Sequence, residues 1–312
     1  MNTESSLPDP CTDQSSPTSS YIGRFAPSPS GPLHFGSLVS ALASYLDAKA
    51  NSGQWLVRMD DIDPPREISG AADTILQQLQ QHGLHWDGPV LYQSQRSTAY
   101  LSVLEQLQKA GLAYPCQCTR QQLKENGGIH HGRCEIQDPS APSALRLSVV
   151  DPHQISFNDI FQGFQQQDIK LQVGDMVLHR KDNLFAYQLA VVIDDAYQKI
   201  THVIRGSDLL DSTPRQIYLQ QKLKLPTPIY GHIPVAINDH GQKLSKQNLA
   251  VAIDNKTAQN NLAIAIRWLR LPLPNSLAST NNLTHCDELL TWAIEHWQRE
   301  LVPPLLERLA SN

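Results

Sequence analysis

Two distant segments of this chain carry side chains that could handle phosphate groups. In the first, His34, Gly36 and Ser37 end a run rich in proline, serine and glycine, and apolar residues at helical spacing follow. The first N–H groups of a helix lack partners within it and attract anions, so His34 could donate to a phosphate oxygen there. In the second, Lys243 and Lys246 bring two cations to a predicted loop that could neutralise charge developing on a phosphate under attack. Together the segments predict one ATP site.

Either segment alone also has a structural explanation. The first is compatible with a capped turn, and the second is compatible with a solvated surface turn. The sequence contains neither a Walker-type phosphate loop nor a Gly-x-Gly-x-x-Gly fingerprint. A P-loop NTPase is therefore not predicted.

Three cysteines and a histidine form a second candidate site. Cys116, Cys118, His130 and Cys134 lie within 19 residues (134 minus 116, plus one), and four nitrogen and sulfur donors suit a tetrahedral structural zinc. His131 is an alternative to His130. The other alternative is a set of reduced cysteines without metal, while a disulfide is not expected in a cytosolic enzyme.

The elements around these sites alternate between strand and helix. A strand is predicted at 54–60, followed by a helix that ends near Gly83, and later a strand at 200–205 precedes a helix at 213–223. This alternation indicates a doubly wound α/β sheet. The stretch 115–177, with short strand-like runs, is predicted to be inserted between two halves of the nucleotide fold. Helices are predicted at 261–269 and 287–300.

Composition is typical of a cytoplasmic globular enzyme. The net charge of −5 argues weakly against nonspecific nucleic-acid binding, although a local basic patch could still contact RNA phosphates. No apolar run reaches the length of about 18 residues needed for a membrane span. The first twenty residues are polar, do not resemble a secretory signal, and are predicted to be a disordered tail.

The motifs together resemble the catalytic region of class I glutamyl-tRNA synthetases. His34-Phe-Gly36-Ser37 stands for the HIGH element of that family and Lys243-Leu-Ser-Lys246 for KMSKS. The resemblance covers most of the chain from Tyr21 to about Val251. It includes the segments Arg58-Met-Asp60-Asp-Ile-Asp63, Phe185-Ala-Tyr187-Gln and Val203-Ile-Arg205-Gly-Ser-Asp208.

The resemblance implies a role for individual residues. A site selective for an acidic amino acid needs cations for two carboxylates and a carboxylate for the ammonium. The implied glutamate-binding residues are Arg24, Ala26, Ser28, Asp60, Tyr187 and Arg205. The implied ATP-binding residues are His34, Gly36, Ser37 and Lys246, with His34, Lys243 and Lys246 catalytic. The chain departs from the family at Asp60, where glutamate is usual, and at His130, where a tyrosine is typical among the zinc ligands.

The length beyond the second motif suggests which branch of the family applies. Only 66 residues (312 minus 246) follow Lys246, which predicts a short helical unit and no anticodon-binding domain. That arrangement is similar to the glutamyl-queuosine tRNA(Asp) synthetases, a truncated paralogous family. It implies activation of L-glutamate by ATP with Mg²⁺, then transfer to queuosine at the wobble position of tRNA(Asp). The alternatives are a minimal synthetase that charges tRNA(Glu) and a noncatalytic RNA-binding paralogue.

These inferences combine into one expected organisation. The fold is expected to be a class I synthetase-type Rossmann fold with an inserted α+β subdomain carrying one structural zinc, in a monomeric protein. The expected limits are 1–20 for the tail, 21–114 and 178–251 for the two halves of the catalytic domain, 115–177 for the insertion and 252–312 for the helical unit.

Overall fold

A computed structural model describes residues 20–125, 127–150, 153–244, 250–274, 277 and 286–311. Almost all of the predicted tail lies outside these ranges, and so does Lys246. No helix in the described part of the chain combines the length and apolarity that crossing a membrane requires.

The first part of the chain forms a parallel sheet with helices packed on it. Its elements are β1 (Ile22–Phe25), α1 (Phe35–Ala50), β2 (Gln54–Met59), α2 (Ala71–Gln81), β3 (Leu91–Tyr92) and α3 (Ser97–Lys109). The strand order is β1-β2-β3, with Arg24 opposite Leu56. Leu38, Leu42 and Leu46 are fully buried on α1, since their spacing puts them on one face against the sheet. The predicted strand at 54–60 is confirmed.

The next part is built from antiparallel strands. Its elements are β4 (Ala113–Cys116), α4 (Arg120–Glu125), β5 (Ala144–Leu147), β6 (Gln154–Asp159), β7 (Gly163–Asp168), α5 (Ile169–Gln172) and β8 (Met176–His179). One sheet has the order β4-β5-β8, and β6 and β7 form a separate hairpin. This change from parallel to antiparallel pairing separates the segment from what precedes and follows it in the chain.

Parallel pairing returns in the following part. Its elements are α6 (Tyr187–Tyr197), β9 (His202–Gly206), α7 (Thr213–Leu223), β10 (Ile229–Ile233) and β11 (Val235–Ile237). β9 pairs in parallel with β10. The backbone N–H of Thr201 donates to the carbonyl oxygen of Ile22 at 2.9 Å, which joins this part to β1. The helix predicted at 213–223 is α7, residue for residue.

The C-terminal part is less helical than predicted. It contains α8 (Ala258–Trp268), α9 (Cys286–Glu295) and β12 (Glu307–Leu309). The predicted helix at 287–300 ends at Glu295, because the side chains of Trp297 and Arg299 turn back to donate to Asp47 on α1. β12 was not predicted at all, and it pairs in parallel with β11.

Candidate active site and zinc site

A cavity of about 610 Å³ lies where β1, β2 and β9 end and α1 begins. Carboxyl ends of parallel strands and helix N-termini are the usual positions for ligands in α/β folds. The cavity is lined by every residue implied above for glutamate, ATP or catalysis within the described ranges, namely Arg24, Ala26, Ser28, His34, Gly36, Ser37, Asp60, Tyr187, Arg205 and Lys243. Lys246 falls outside the described residues.

His34 is the residue that caps the N-terminus of α1. Its Nδ1 accepts from the backbone N–H of Ser37 at 3.3 Å, while its own backbone N–H donates to Ser37 Oγ at 2.8 Å. This reciprocal pair is a capping box. Because Nδ1 acts as an acceptor, the proton of the neutral ring is on Nε2. His34 is therefore both a structural cap and a hydrogen-bond donor on the wall of the cavity.

The two motifs, which lie some two hundred residues apart in the chain, meet at Gly36. A Cβ built on Gly36 would lie 3.3 Å from His34 Cε1 and 3.5 Å from the carbonyl oxygen of Leu244. The backbone N–H of Ile253, beyond the second motif, donates to Leu33. Lys243 Nζ contacts Asp208 Oδ2 at 2.5 Å. The backbone of the second motif therefore lies within van der Waals reach of the start of α1.

Two arginines and two aspartates form a buried network, in which Arg24 and Asp60 line the cavity and Arg58 and Asp195 lie behind it. Asp195 Oδ1 accepts from Arg58 at 2.6 Å and from Arg24 Nε at 3.2 Å, and Arg58 Nε donates to Asp60 at 2.8 Å. All four side chains are at most 5% exposed. Burial raises the pKa of Asp60 despite the attraction of Arg58. Burial would also raise the pKa of Asp195, but Arg24 and Arg58 outweigh it and lower that pKa.

Arg205 is held differently from Arg24. Its guanidinium contacts His232, Thr213, the carbonyl oxygen of Leu209 and the hydroxyl of Tyr187, all of which are uncharged. Among the described residues no carboxylate lies within ion-pair distance of Arg205. Arg24, in contrast, shares its charge with Asp195. Of the described cations that line this cavity, Arg205 is therefore the one without an ion-pair partner that is available to an anionic ligand.

A second cavity of about 600 Å³ adjoins the first on the side of the antiparallel sheet. Ser28, Asp60, Arg66 and Tyr187 line both cavities. The walls of the second cavity also include the cationic residues Arg120, Arg146, Arg180 and Lys181. Asp60, Asp63 and Asp182 line it as well, so a second reactant next to the first cavity would meet groups of both charges.

The predicted metal ligands come together. One donor atom from each of Cys116, Cys118, His130 and Cys134 lies within 4.8 Å of all the others. His130 Nε2 points to the sulfurs, at 2.9 Å from Cys134 Sγ and 3.4 Å from Cys116 Sγ. Of the two candidate histidines, His130 is the one that lies in the cluster.

The surroundings of His130 also fit a metal ligand. Its Nδ1 lies 3.1 Å from the hydroxyl of Tyr114, and that hydroxyl donates to Asp175 at 2.5 Å. Since the tyrosine proton goes to Asp175, the Nδ1 proton of His130 goes to the tyrosine oxygen. This arrangement leaves the lone pair of Nε2 for the metal, as is usual for ligating histidines. The four donors therefore fit a closed tetrahedral zinc site.

Several residues around the first cavity escaped the sequence analysis. Asp195 has a signal in the sequence, since it and Asp194 interrupt an apolar helical run, and such acids are buried only when they have partners. Arg58 has a similar signal, because it lies inside an apolar strand. His232 and Thr213 have no local signal, because their contact with Arg205 depends on the packing of separate elements.

Comparisons with known proteins agree with this architecture. A family model described as class I tRNA synthetases (E and Q), catalytic domain, matches residues 22–271. The glutamyl-Q tRNA(Asp) synthetase of Serratia proteamaculans (strain 568) is 48% identical over 284 residues, which cover 91% of this chain and 92% of that protein. The protein of the same name from Thiobacillus denitrificans is 51% identical over 289 residues, covering 90% of this chain and 95% of that protein.

A solved structure also matches. The glutamate-tRNA synthetase of Elizabethkingia anophelis superposes with a TM-score of 0.77 at 25% identity, over 92% of this chain and 67% of that chain. The predicted α/β fold class of the synthetase type is confirmed.

Proposed function

Because the chain belongs to the family of class I tRNA synthetases for glutamate and glutamine, we propose that it activates L-glutamate with ATP and transfers the glutamyl group to queuosine at the wobble position of tRNA(Asp). The observation that carries the proposal is the cavity in which both motifs of an ATP site face Arg24, Asp60 and Arg205. The relatives named glutamyl-Q tRNA(Asp) synthetase supply the identity of the acceptor.

The charges in the cavity suit an acidic amino acid. Arg205 faces the cavity without a carboxylate partner among the described residues, so its terminal nitrogen next to Tyr187 can donate to a carboxylate of glutamate. Asp60 Oδ1 accepts from Arg58, which leaves Oδ2 for the ammonium group. Ser28 and Tyr187 add hydroxyl groups on the same wall. The shorter side chain of Asp60, compared with the glutamate usual in the family, is compatible with this role because Arg58 fixes its position.

Adenylate formation needs no protein nucleophile. A carboxylate oxygen of glutamate attacks the α-phosphorus of ATP in line, and pyrophosphate leaves from the opposite side. The protein contributes by positioning the reactants and by stabilising charge. His34 Nε2–H donates to phosphate oxygen at the N-terminus of α1, and Lys243 and Lys246 neutralise the charge that develops. Mg²⁺ accompanies ATP and is bound mostly by phosphates and water.

The second step uses the adjoining cavity. A hydroxyl of the queuosine cyclopentenediol attacks the carbonyl carbon of the adenylate, an ester forms and AMP leaves. We propose that the acceptor nucleoside enters through the second cavity, because Ser28, Asp60, Arg66 and Tyr187 line both cavities. The cationic residues there can contact RNA phosphates, so the net charge of −5 is no obstacle.

We propose that Cys116, Cys118, His130 and Cys134 hold one structural Zn²⁺. Their donors and the Tyr114–Asp175 pair behind His130 support this site. The metal would fix the chain between β4 and β5, next to the second cavity, which Cys118 lines.

The predicted domain division becomes part of the proposal with one adjustment. The antiparallel sheet begins with β4 at Ala113 and ends with β8 at His179. We therefore propose that the inserted unit spans 113–179, two residues beyond the predicted limit of 115–177 at each end. The cytoplasmic location and the monomeric state stay predictions.

The test is transfer of radiolabelled glutamate in the presence of ATP and Mg²⁺. The acceptors to compare are tRNA(Asp) with queuosine, the same tRNA without queuosine, and tRNA(Glu). We expect label only on queuosine-containing tRNA(Asp), carried by the anticodon fragment and not by the 3′ fragment after ribonuclease digestion. Label on the 3′ end of tRNA(Glu) would instead make the protein a minimal synthetase, and no label on any tRNA would overturn the transfer step.

A further inference from the structure

One edge of the Arg205 guanidinium donates hydrogen bonds to two buried acceptors. Arg205 Nε donates to His232 Nε2 at 3.0 Å, and one terminal nitrogen donates to Thr213 Oγ1 at 2.7 Å. His232 and Thr213 are fully buried. The other terminal nitrogen lies 3.4 Å from the hydroxyl of Tyr187 on the wall of the cavity. The two contacts therefore fix which edge of Arg205 faces the ligand.

His232 can accept from Arg205 only in one tautomer, and Asp159 selects that tautomer. Asp159 Oδ2 lies 2.5 Å from His232 Nδ1, so the ring proton is on Nδ1 and the lone pair is on Nε2. Asp159 is itself fixed, because Oδ1 accepts from the backbone N–H groups of Phe161, Gln162 and His232. Burial lowers the pKa of His232 and keeps the ring neutral. Asp159 acts in the opposite direction, and the charge of Arg205 lowers the pKa further.

The neutrality of these acceptors has a consequence for the ligand. A carboxylate behind Arg205 would orient it equally well but would offset its charge, as Asp195 does for Arg24. His232 and Thr213 orient the guanidinium with neutral acceptors, and the negative charge of Asp159 lies one ring farther away. The charge of Arg205 is therefore left for a carboxylate that enters the cavity.

We propose that Asp159, His232 and Thr213 are positioning residues. They orient Arg205 toward a carboxylate of the amino-acid substrate without neutralising the charge of its guanidinium. The inference rests on the proposed activation of glutamate and goes beyond it by assigning three residues that do not line the cavity. Asp159 lies at the end of β6, so the antiparallel segment contributes to amino-acid binding through β10, which carries His232.

The first test changes the hydroxyl of Thr213 without changing the shape of the residue. Thr213→Val removes the acceptor, whereas Thr213→Ser keeps it. Thr201→Val is a matched control, because Thr201 precedes β9 and its Oγ1 accepts from the backbone N–H of Ile22 at the start of β1, away from the cavity. We expect Thr213→Val to raise the KM for glutamate in ATP–pyrophosphate exchange about tenfold or more, by loss of a hydrogen bond from a charged donor. The KM for ATP should stay within about twofold, and Thr213→Ser and Thr201→Val should keep the wild-type KM for glutamate.

The second test reverses the tautomer of His232. In Asp159→Asn, the amide oxygen can still accept the three backbone N–H groups, while the amide NH₂ faces Nδ1 and moves the ring proton to Nε2, against Arg205. We expect an increase in the KM for glutamate similar to that of Thr213→Val. Nitrogen-15 NMR of the histidine ring should record the change of tautomer, which a purely structural effect would not produce.

The outcomes separate this inference from the function on which it rests. A wild-type protein without glutamate-dependent exchange would overturn the proposed function and this inference with it. An active wild-type protein in which Thr213→Val leaves the KM for glutamate unchanged would overturn this inference alone. Equal increases in the KM values for glutamate and ATP would also overturn it, because they would indicate a general distortion of the cavity.

Discussion

Asp195 offers the sharpest test of how the amino-acid pocket is stabilised. Its carboxylate accepts from Arg58 at 2.6 Å and from both Nε and a terminal nitrogen of Arg24 at 3.2 and 3.3 Å. Asp195→Asn keeps the shape of the side chain but removes its charge. Arg58 would then keep the carboxylate of Asp60, whereas Arg24 would have no carboxylate within ion-pair distance among the described residues.

The magnitude follows from the burial of the network. The side chains of Arg24, Arg58 and Asp195 are 4%, 0% and 3% exposed, so solvent screens the lost charge very little. Removal of one partner from a buried ion pair costs about 3–5 kcal/mol. For a protein of this size, that loss corresponds to a fall in melting temperature of about 5–15 °C. Because Arg24 lines the cavity and loses its anchor, the KM for glutamate should also rise, by about tenfold or more.

Asp194 provides a matched control at the neighbouring position of α6. It is fully buried and accepts from Arg96, Gln93 and Tyr100, none of which lines the first cavity. Asp194→Asn should therefore lower the melting temperature by a similar amount but leave the KM for glutamate within about twofold. Both variants are assayed by ATP–pyrophosphate exchange well below their melting temperatures. Equal KM values for the two variants, or an unchanged melting temperature in Asp195→Asn, would contradict this account of the network.

Three further predictions concern separate parts of the molecule. Cys134→Ser should lower zinc content by elemental analysis and melting temperature together, whereas Cys286→Ser, outside the cluster, should retain one zinc; equal zinc in both variants would refute the site. Lys243→Met should slow ATP–pyrophosphate exchange on the order of 100-fold, by loss of a transition-state donor, and Lys243→Arg should keep more of the rate; a normal rate in the Met variant would exclude the catalytic role. Burial lowers the pKa of His82 in the folded protein. In the unfolded chain this histidine is protonated near pH 6.5, whereas in the folded protein it stays neutral to a lower pH. The folded state is therefore fully stable above that pH and loses free energy of unfolding as the pH falls below it. Between pH 7.5 and 5.5 the loss in free energy of unfolding, measured with urea, reaches at most about 1.4 kcal/mol. If His82→Gln showed the same dependence of this free energy on pH as the wild type, the prediction would be wrong.

The parts of the fold that the sequence predicts are those with local causes. The helix at 213–223 and the strand at 54–60 follow from apolar spacing bounded by recognisable breaks. The helix predicted at 287–300 ends at Glu295, earlier than predicted, because Trp297 and Arg299 bind Asp47, about 250 residues earlier in the chain. β12 pairs with a strand about 70 residues away. Neither contact has a pattern that a sequence window could detect.

The residues of the site also differ in whether their role has a local signal in the sequence. His34 and Lys243 could be found because they belong to short motifs whose chemistry is readable from residue type. Asp159 could not, because its importance lies in the tautomer that it imposes on His232, a residue 73 positions away. The sequence thus identifies the groups that contact a substrate more readily than the groups that hold them in place.

The two guanidiniums of the pocket suggest how glutamate is distinguished from glutamine. Arg24 is offset by Asp195 and would tolerate a neutral ligand, whereas the groups that Arg205 contacts in the described part of the chain are neutral. A side-chain amide opposite Arg205 could still offer its oxygen to the guanidinium but would leave the charge of the guanidinium without a counterion. Sites that leave a polar partner unsatisfied reject such analogues strongly. If the clamp of His232 and Thr213 is what aims Arg205 at the side-chain carboxylate, Thr213→Val should lose discrimination against glutamine as well as affinity for glutamate, since both depend on the same edge of the same arginine.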